Sequence, residues 1–237
     1  MDLSFLQVLL PMLLRGLKLT LYIAIVGISL GFVIGCFAGY ALQSHNRIAR
    51  TIAGIYIWII RGTPLMVQAL YIYYVLPKLT GINFTSNTAG IIAITLNSGA
   101  FISEIVRGAL QSIDAGQKEA GLSLGLSYRQ TLVHVIIPPA FRIILPSLFN
   151  QFIVSVKDTA LLSVIVVNEI TTQINNYTAL SFKTIEGYTT GAIFYLALIS
   201  ILILCQKIIE RKVNGITVSP KPKLREVLRG EPAAAKT

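Results

Sequence analysis

The fold class this sequence predicts is an all-α membrane protein with five transmembrane helices, and three observations predict it. Of 237 residues, 54% are hydrophobic and 13% are charged, and the mean hydropathy is +0.71. A soluble domain carries about 25% charged residues, so a soluble enzyme, a disordered tail and a fibrous repeat are all excluded. The apolar residues gather into runs long enough to cross a bilayer, about 20 residues each. The 20 basic and 10 acidic residues are spread unevenly between the segments that join those runs.

The spans follow in order, within a transmembrane region at 1–213. The first, 19–42, has no charged side chain. It exceeds the apolar core of a secretory signal and is expected to remain in the membrane. The second, 52–76, is interrupted by Arg61-Gly62-Thr63-Pro64. Gly62 and Pro64 break the helix ladder there, and broken spans are tolerated where they line a cavity or are buried in protein. Arg61 and Pro64 therefore mark either a kink that shapes a gate or a simple bend with Arg61 snorkelling. The third span, 87–105, ends on Glu104. The fourth, 143–167, is interrupted by Lys157-Asp158, and the fifth, 187–206, is uncharged. After it, Asn214-Gly215 is a helix stop, and 214–237 reads as a basic, weakly ordered cytoplasmic tail.

Charge sets the orientation. With the N-terminus outside, the inner segments hold Arg47, Arg50, Arg107, Lys118, Arg129, Arg142 and the eight basic residues from Lys207 onward, fourteen in all. The outer segments hold Lys78 and Lys183, with Arg15 and Lys18 counting against this arrangement. The bias places the C-terminus in the cytoplasm. It also turns the net charge of +10 into topology rather than a nucleic-acid footprint, because basic segments face the anionic leaflet.

Catalytic signatures are missing. Cys36 and Cys205 form no CxxC pattern and are expected to be small buried apolar side chains. His45 and His134 are isolated, and no catalytic or metal-binding set is expected. No GxxxxGK[ST] phosphate loop occurs, so nucleotide chemistry would belong to another subunit.

The polar segment between spans three and four carries the densest local signals. Asp114 with Gln117, and Ser127 with Gln130, are capping patterns. They predict two short helices, about 115–124 and 128–137, across a coupling region at 114–137. A turn falls near Gly125, and Pro138-Pro139 is expected to stop the second helix. Gly121 and Gly125 are four apart and share a helix face. That flat face suits either close docking of another backbone or a flexible surface exit.

Glu119-Ala120-Gly121, then Gly125, then Val135-Ile136-Ile137-Pro138 resembles the EAA loop of ABC importer permeases, with Gly in place of the third-position Ala. Leu14–Leu21, Arg61-Gly62-Thr63-Pro64-Leu65, Ser103-Glu104-Ile105-Val106-Arg107-Gly108 and Lys157-Asp158-Thr159-Ala160-Leu161 resemble the polar amino-acid branch of type I importers, the histidine, glutamine and glutamate kind. The resemblance covers about 14–212. It implies an inner-membrane permease, paired with a second copy or a paralogue. It also implies two cytoplasmic ABC ATPase subunits holding ATP and Mg, and an extracytoplasmic amino-acid-binding protein. Glu119, Ala120, Gly121 and Gly125 would couple to the ATPase.

Charges inside spans are costly and tend to face a cavity or a partner. Gln151, Ser155 and Asp158 share a face of span four, and Asn97 and Glu104 share one on span three. Read from residues alone, an ion pair of Lys157 or Arg107 with Asp158 or Glu104 is a sufficient account. Under the resemblance, Asp158 would hold a substrate ammonium, with Gln151, Ser155 and Asn97 lining the pocket. Glu104 with Arg107 stays structural. One acid among amides and hydroxyls favours a glutamine-like substrate. An ion-coupled secondary transporter is the competing reading, while a membrane enzyme and a purely structural subunit fit less well.

Overall fold

The first apolar run lies within α1, Phe5–Leu42, in a computed structural model that describes residues 5–214. The tail expected at 214–237 lies outside the described residues beyond Asn214. At 38 residues, α1 is about 57 Å long, well beyond the roughly 30 Å hydrocarbon layer. Its helix therefore continues past Arg15 and Lys18, where the apolar run has ended.

The second run divides into α2 (Arg47–Arg61) and α3 (Leu65–Thr80), whose axes differ by 102°. Asn46 caps α2 by accepting from the Ile48 and Ala49 amides, and the Gly62 amide closes it on Trp58 O. Helix α4 is Ser86–Gln111, capped by the Thr85 hydroxyl. Next come the short α5 (Ala115–Ser123), the long α6 (Tyr128–Ile165), α7 (Ile170–Ser181) and α8 (Thr184–Asn214). Sequence reading gave no helix for the stretch that forms α7.

Pro138-Pro139 does not stop α6. A five-residue π turn, Leu132–Ile136, precedes the pair, and Ile137 donates its amide to Leu132 O. The prolines then fall in the first turn of a new α register. There a missing N–H removes little and the fixed φ fits. The two short helices expected at 115–124 and 128–137 are thus one short helix and the opening of a long one.

The tightest seam joins α1 to α4. A Cβ on Gly31 would lie 2.9 Å from Thr95 O, and one on Gly39 2.6 Å from Ser103 O. Small residues allow backbones to approach this closely, which is how helices associate in lipid. Below that seam, Ile23, Leu65, Ala69, Ile94, Leu162 and Ile165 form one apolar cluster. Leu9, Leu13, Ile170 and Tyr177 form another, seating α7 on α1. The most apolar stretch of α8 has none of its length buried by this chain. Cys36 on α1 is half-buried against Ile102 and Ile144, whereas Cys205 is exposed rather than buried as expected, because it lies on the poorly covered α8.

Candidate functional site

Helix α6 changes register at Asp158. It is α-helical up to that residue and continues as a 3-10 helix over Thr159–Ile165. The Thr159 hydroxyl donates to Val156 O at 2.8 Å across the change. A 3-10 stretch inside a long helix is a recurrent mark of a functional hinge. Asp158 is half-buried and has no ion pair or hydrogen bond among the described residues. Lys157 is exposed and pairs with no acid there either. No salt bridge therefore closes on Asp158 among the described residues, and the nearest charge acting on this carboxylate is that of its chain neighbour Lys157.

The other members of the stripe occupy the α4–α6 seam. Gln151, Ser155 and Asn97 are all buried. Ser155 Oγ lies 3.0 Å from Ser98 Oγ, a partner that sequence reading passed over although it neighbours Asn97. The Ser155 hydroxyl is thus engaged within the chain. Gln151 differs, because its Nε2 is buried with no acceptor.

Glu104 belongs to a separate charged group. Arg107 donates from Nε to Glu104 Oε2 at 2.9 Å and from Nη1 to Gln111 Oε1 at 3.0 Å. Arg61 Nη1 is 3.7 Å from Glu104 Oε1, with its guanidinium carbon 5.4 Å from the Phe101 ring centroid. The end of α2 is thereby tied to α4 where span two breaks. Across the break, Gln68 Nε2 donates to Ile60 O at 2.7 Å, Thr63 O at 3.0 Å and Thr63 Oγ1 at 2.9 Å. Pro64 sits in extended backbone immediately before α3. Gln68 was not singled out in sequence. The signal available was an amide four residues after a proline break inside a span.

The turn between α4 and α6 is built from local caps. Asp114 Oδ1 accepts from the Gly116 amide, and Ser127 with Gln130 forms a reciprocal capping box. Gly125 has φ +81°. The Leu126 amide donates to Gly121 O and the Gly125 amide to Leu122 O, the paired bonds of a Schellman ending. Gly121 is buried, and a Cβ on it would meet Thr131 Cγ2 at 2.7 Å. Its flat face is therefore turned into the chain rather than outward. Glu119 and Ala120 are exposed beside Leu122 and Leu124, and Leu124 is 82% exposed. Leu124 is thus a bare leucine on a polar turn, a feature the residue pattern did not single out.

The family model described as "Binding-protein-dependent transport system inner membrane component" matches residues 27–215. The chain belongs to that family. The stretch matched within this inner membrane component holds both the break after Arg61 and the Asp158 register change. The chain is 42% identical over 205 residues to the glutamine transport system permease protein GlnP of Escherichia coli (strain K12), covering 86% of this chain and 94% of that one. It is 33% identical over 205 residues to the arginine transport system permease protein ArtQ of Bacillus subtilis (strain 168), again covering 86% and 94%. A crystal structure of an amino acid ABC transporter with histidines superposes with a TM-score of 0.82 at 34% identity. That match covers 90% of this chain and all of the other. Inward-facing structures of the MetNI methionine ABC transporter share the fold at 20% identity, with a TM-score of 0.73 over 85% of this chain and 96% of that one.

Proposed function

We propose that this chain is the permease subunit of an ATP-driven, binding-protein-dependent importer of a polar amino acid, glutamine foremost. The observation that carries the substrate reading is Asp158. A carboxylate within a span, with no salt bridge and no hydrogen-bond donor among the described residues, calls for a cationic ligand or partner. The ammonium of an amino acid supplies that charge. Gln151 and Asn97 offer amide groups to the rest of the molecule, and Ser155 holds the wall beside them. The glutamine permease at 42% identity supports this choice among polar amino acids.

The wider assembly follows the same reading. The N-terminus lies outside and the C-terminus in the cytoplasm, as the basic residues require. A second copy or a paralogue completes the path, and an extracytoplasmic binding protein delivers the substrate. Two cytoplasmic ATPase subunits hold ATP and Mg. Glu119, Ala120 and the exposed Leu124 contact them, while Gly121 and Gly125 give the turn its shape. ATP-driven motion of that turn reaches the α2–α3 elbow through the Arg61–Glu104–Arg107 group. Substrate biases the outward and inward states only by its differential affinity for them.

The test is uptake by the reconstituted transporter carrying Asp158→Asn, with assembly checked by co-purification of the ATPase. Losing a charge-assisted hydrogen bond is worth about 1.5–3 kcal/mol, so the substrate concentration for half-maximal uptake is expected to rise about 10- to 150-fold. Unchanged affinity and rate in an assembled variant would overturn the role of Asp158.

A further inference from the structure

A polar cavity lies away from Asp158, between α6, α4 and α8. It measures about 320 Å³ and is lined by Ser147, Asn150, Gln151, Gln206 and Glu210, over the apolar floor of Ile105. That volume falls in the range of small-molecule sites. The cavity sits on the side of Asp158 nearer the α4–α6 turn, since Gln151 precedes Asp158 by about 10 Å along α6.

Two of its groups are unsatisfied in complementary ways. Gln151 is 7% exposed, and its Nε2 is a buried donor with no acceptor. Leaving a buried donor unpaired is costly. Glu210 is flanked in sequence by Lys207, Arg211 and Lys212, yet it pairs with no cation among the described residues. Its one side-chain bond among the described residues is from Gln206 Nε2 to Oε1 at 2.9 Å, and both side chains line the cavity. A donor lacking an anion and an anion lacking a cation, in one cavity, match a zwitterion.

We infer that this cavity is a release-side site for the transported amino acid, with Glu210 receiving its ammonium and Gln151 and Ser147 its carboxylate. The inference rests on the amino-acid importer reading. Gln151 lies between the two sites, so a substrate leaving Asp158 keeps one contact as it moves toward the turn. A second carboxylate further along the path shortens the step that separates the bound ammonium from bulk water.

The test uses the whole transporter, reconstituted with its ATPase and binding protein, with Cys36 and Cys205 replaced by Ser. Ser147→Cys then places a thiol in the cavity, with Asn150→Cys as the alternative position if the first abolishes uptake. The reaction of that thiol with a maleimide is timed in the absence of ATP, with and without L-glutamine. The expected result is a reaction about tenfold slower at roughly ten times the dissociation constant of the ligand, and no slowing once Glu210→Gln is added. Glu210→Ala gives the same reading if Glu210→Gln fails to co-purify with the ATPase. Equal rates with and without glutamine, in a transporter that still takes glutamine up, would overturn the release-side site and leave the importer reading intact. Protection that survives both substitutions would overturn the assignment as well. A parent transporter that takes up no polar amino acid would overturn both readings together.

Discussion

Gly121 lies inside α5 and Gly125 just beyond its end, not on one helix face as expected, and the two answer to different constraints. Gly125 supplies a left-handed φ with open space around it. Gly121 supplies room for Thr131, whose Cγ2 and Oγ1 would lie 2.7 and 3.1 Å from an added Cβ. This explains why the third position of the Glu-Ala-Ala pattern is Gly here: a β-branched side chain stands against it and presents both its methyl and its hydroxyl to the added Cβ. In Gly121→Ala, overpacking costs about 1–3 kcal/mol against a helix-propensity gain of about 1 kcal/mol, so the turn is expected to loosen. Adding Thr131→Ala removes both crowding atoms and leaves the gain. No hydrogen bond is lost with them, since Thr131 Oγ1 has no partner. The double variant is expected to recover a thermal midpoint at or above the parent, with the single Gly121→Ala below it. A double variant no better than the single one would sink this account. Asp114, Ser127 and Gln130 were legible in sequence because a cap acts within three residues of itself. The Gly121–Thr131 contact was not, because it joins two helices across a turn.

At the scale of elements, breaks are legible when the chain itself forbids the helix and illegible when a change of register absorbs the insult. Gly62 and Pro64 announce the end of α2, and the axis turns by 102°. Pro138-Pro139 announces a stop that never comes, because the π turn at Leu132–Ile136 resets the ladder ahead of them. The break in span two also needs something to hold its angle. Gln68 does this by joining Ile60 O, Thr63 O and Thr63 Oγ1, two carbonyls that the break would otherwise leave bare. In Gln68→Leu, those carbonyls lose their donor, Ile60 O in a buried setting and Thr63 O in a half-buried one. Each costs about 1–3 kcal/mol, so a clear fall in thermal midpoint is expected. Spin labels on α2 and α3 are expected to report a broader distance distribution. A narrow, parent-like distribution would mean that packing alone sets the elbow. The apolar runs marked where helices enter lipid but not how far they extend, which is why α1 starts well before residue 19 and α8 runs to Asn214. Helix α7, half polar and short, carries too weak an apolar signal to be read as an element. Its start is fixed instead by Glu169, a fully buried carboxylate that accepts from the Thr171 and Thr172 amides and the Tyr195 hydroxyl.

For the molecule as a whole, hydropathy told which segments enter the membrane but not which of them touch. Lipid is as apolar as leucine, so burying apolar surface does not choose partners. Close van der Waals contact between small residues does. The chooser was present in sequence as Gly27, Gly31, Gly35 and Gly39, a row with spacing four along α1. It becomes meaningful only when α4 is seen to fill it, with Ile94, Thr95, Ser98, Ile102 and Val106 in the groove. This seam supports the candidate site, because α4 carries Ser98 to Ser155 on α6 and Glu104 to Arg61 on α2, with Asn97 buried beside them. The glycines differ in what blocks them. At Gly27 and Gly35 an added Cβ first meets the Ile94 and Ile102 side chains. At Gly31 it meets backbone, Thr95 O at 2.9 Å and Gly99 N at 3.0 Å. Backbone in the middle of a helix cannot step aside, so Gly31→Ala must push α1 and α4 apart. That costs about 1–3 kcal/mol for a single methyl, exceeding the roughly 1 kcal/mol that alanine gains as a helix former. Gly108, near the end of the same α4, has nothing within 4 Å of its Cβ position, so Gly108→Ala collects the propensity gain alone. The two substitutions add the same atom to the same pair of helices and are expected to move the thermal midpoint in opposite directions, down for Gly31→Ala and up or unchanged for Gly108→Ala. Reduced recovery of ATPase-bound transporter is expected to accompany the first only. A Gly31→Ala variant as stable as Gly108→Ala would show that the α1–α4 seam has slack, and the glycine row would then not be what selects this packing.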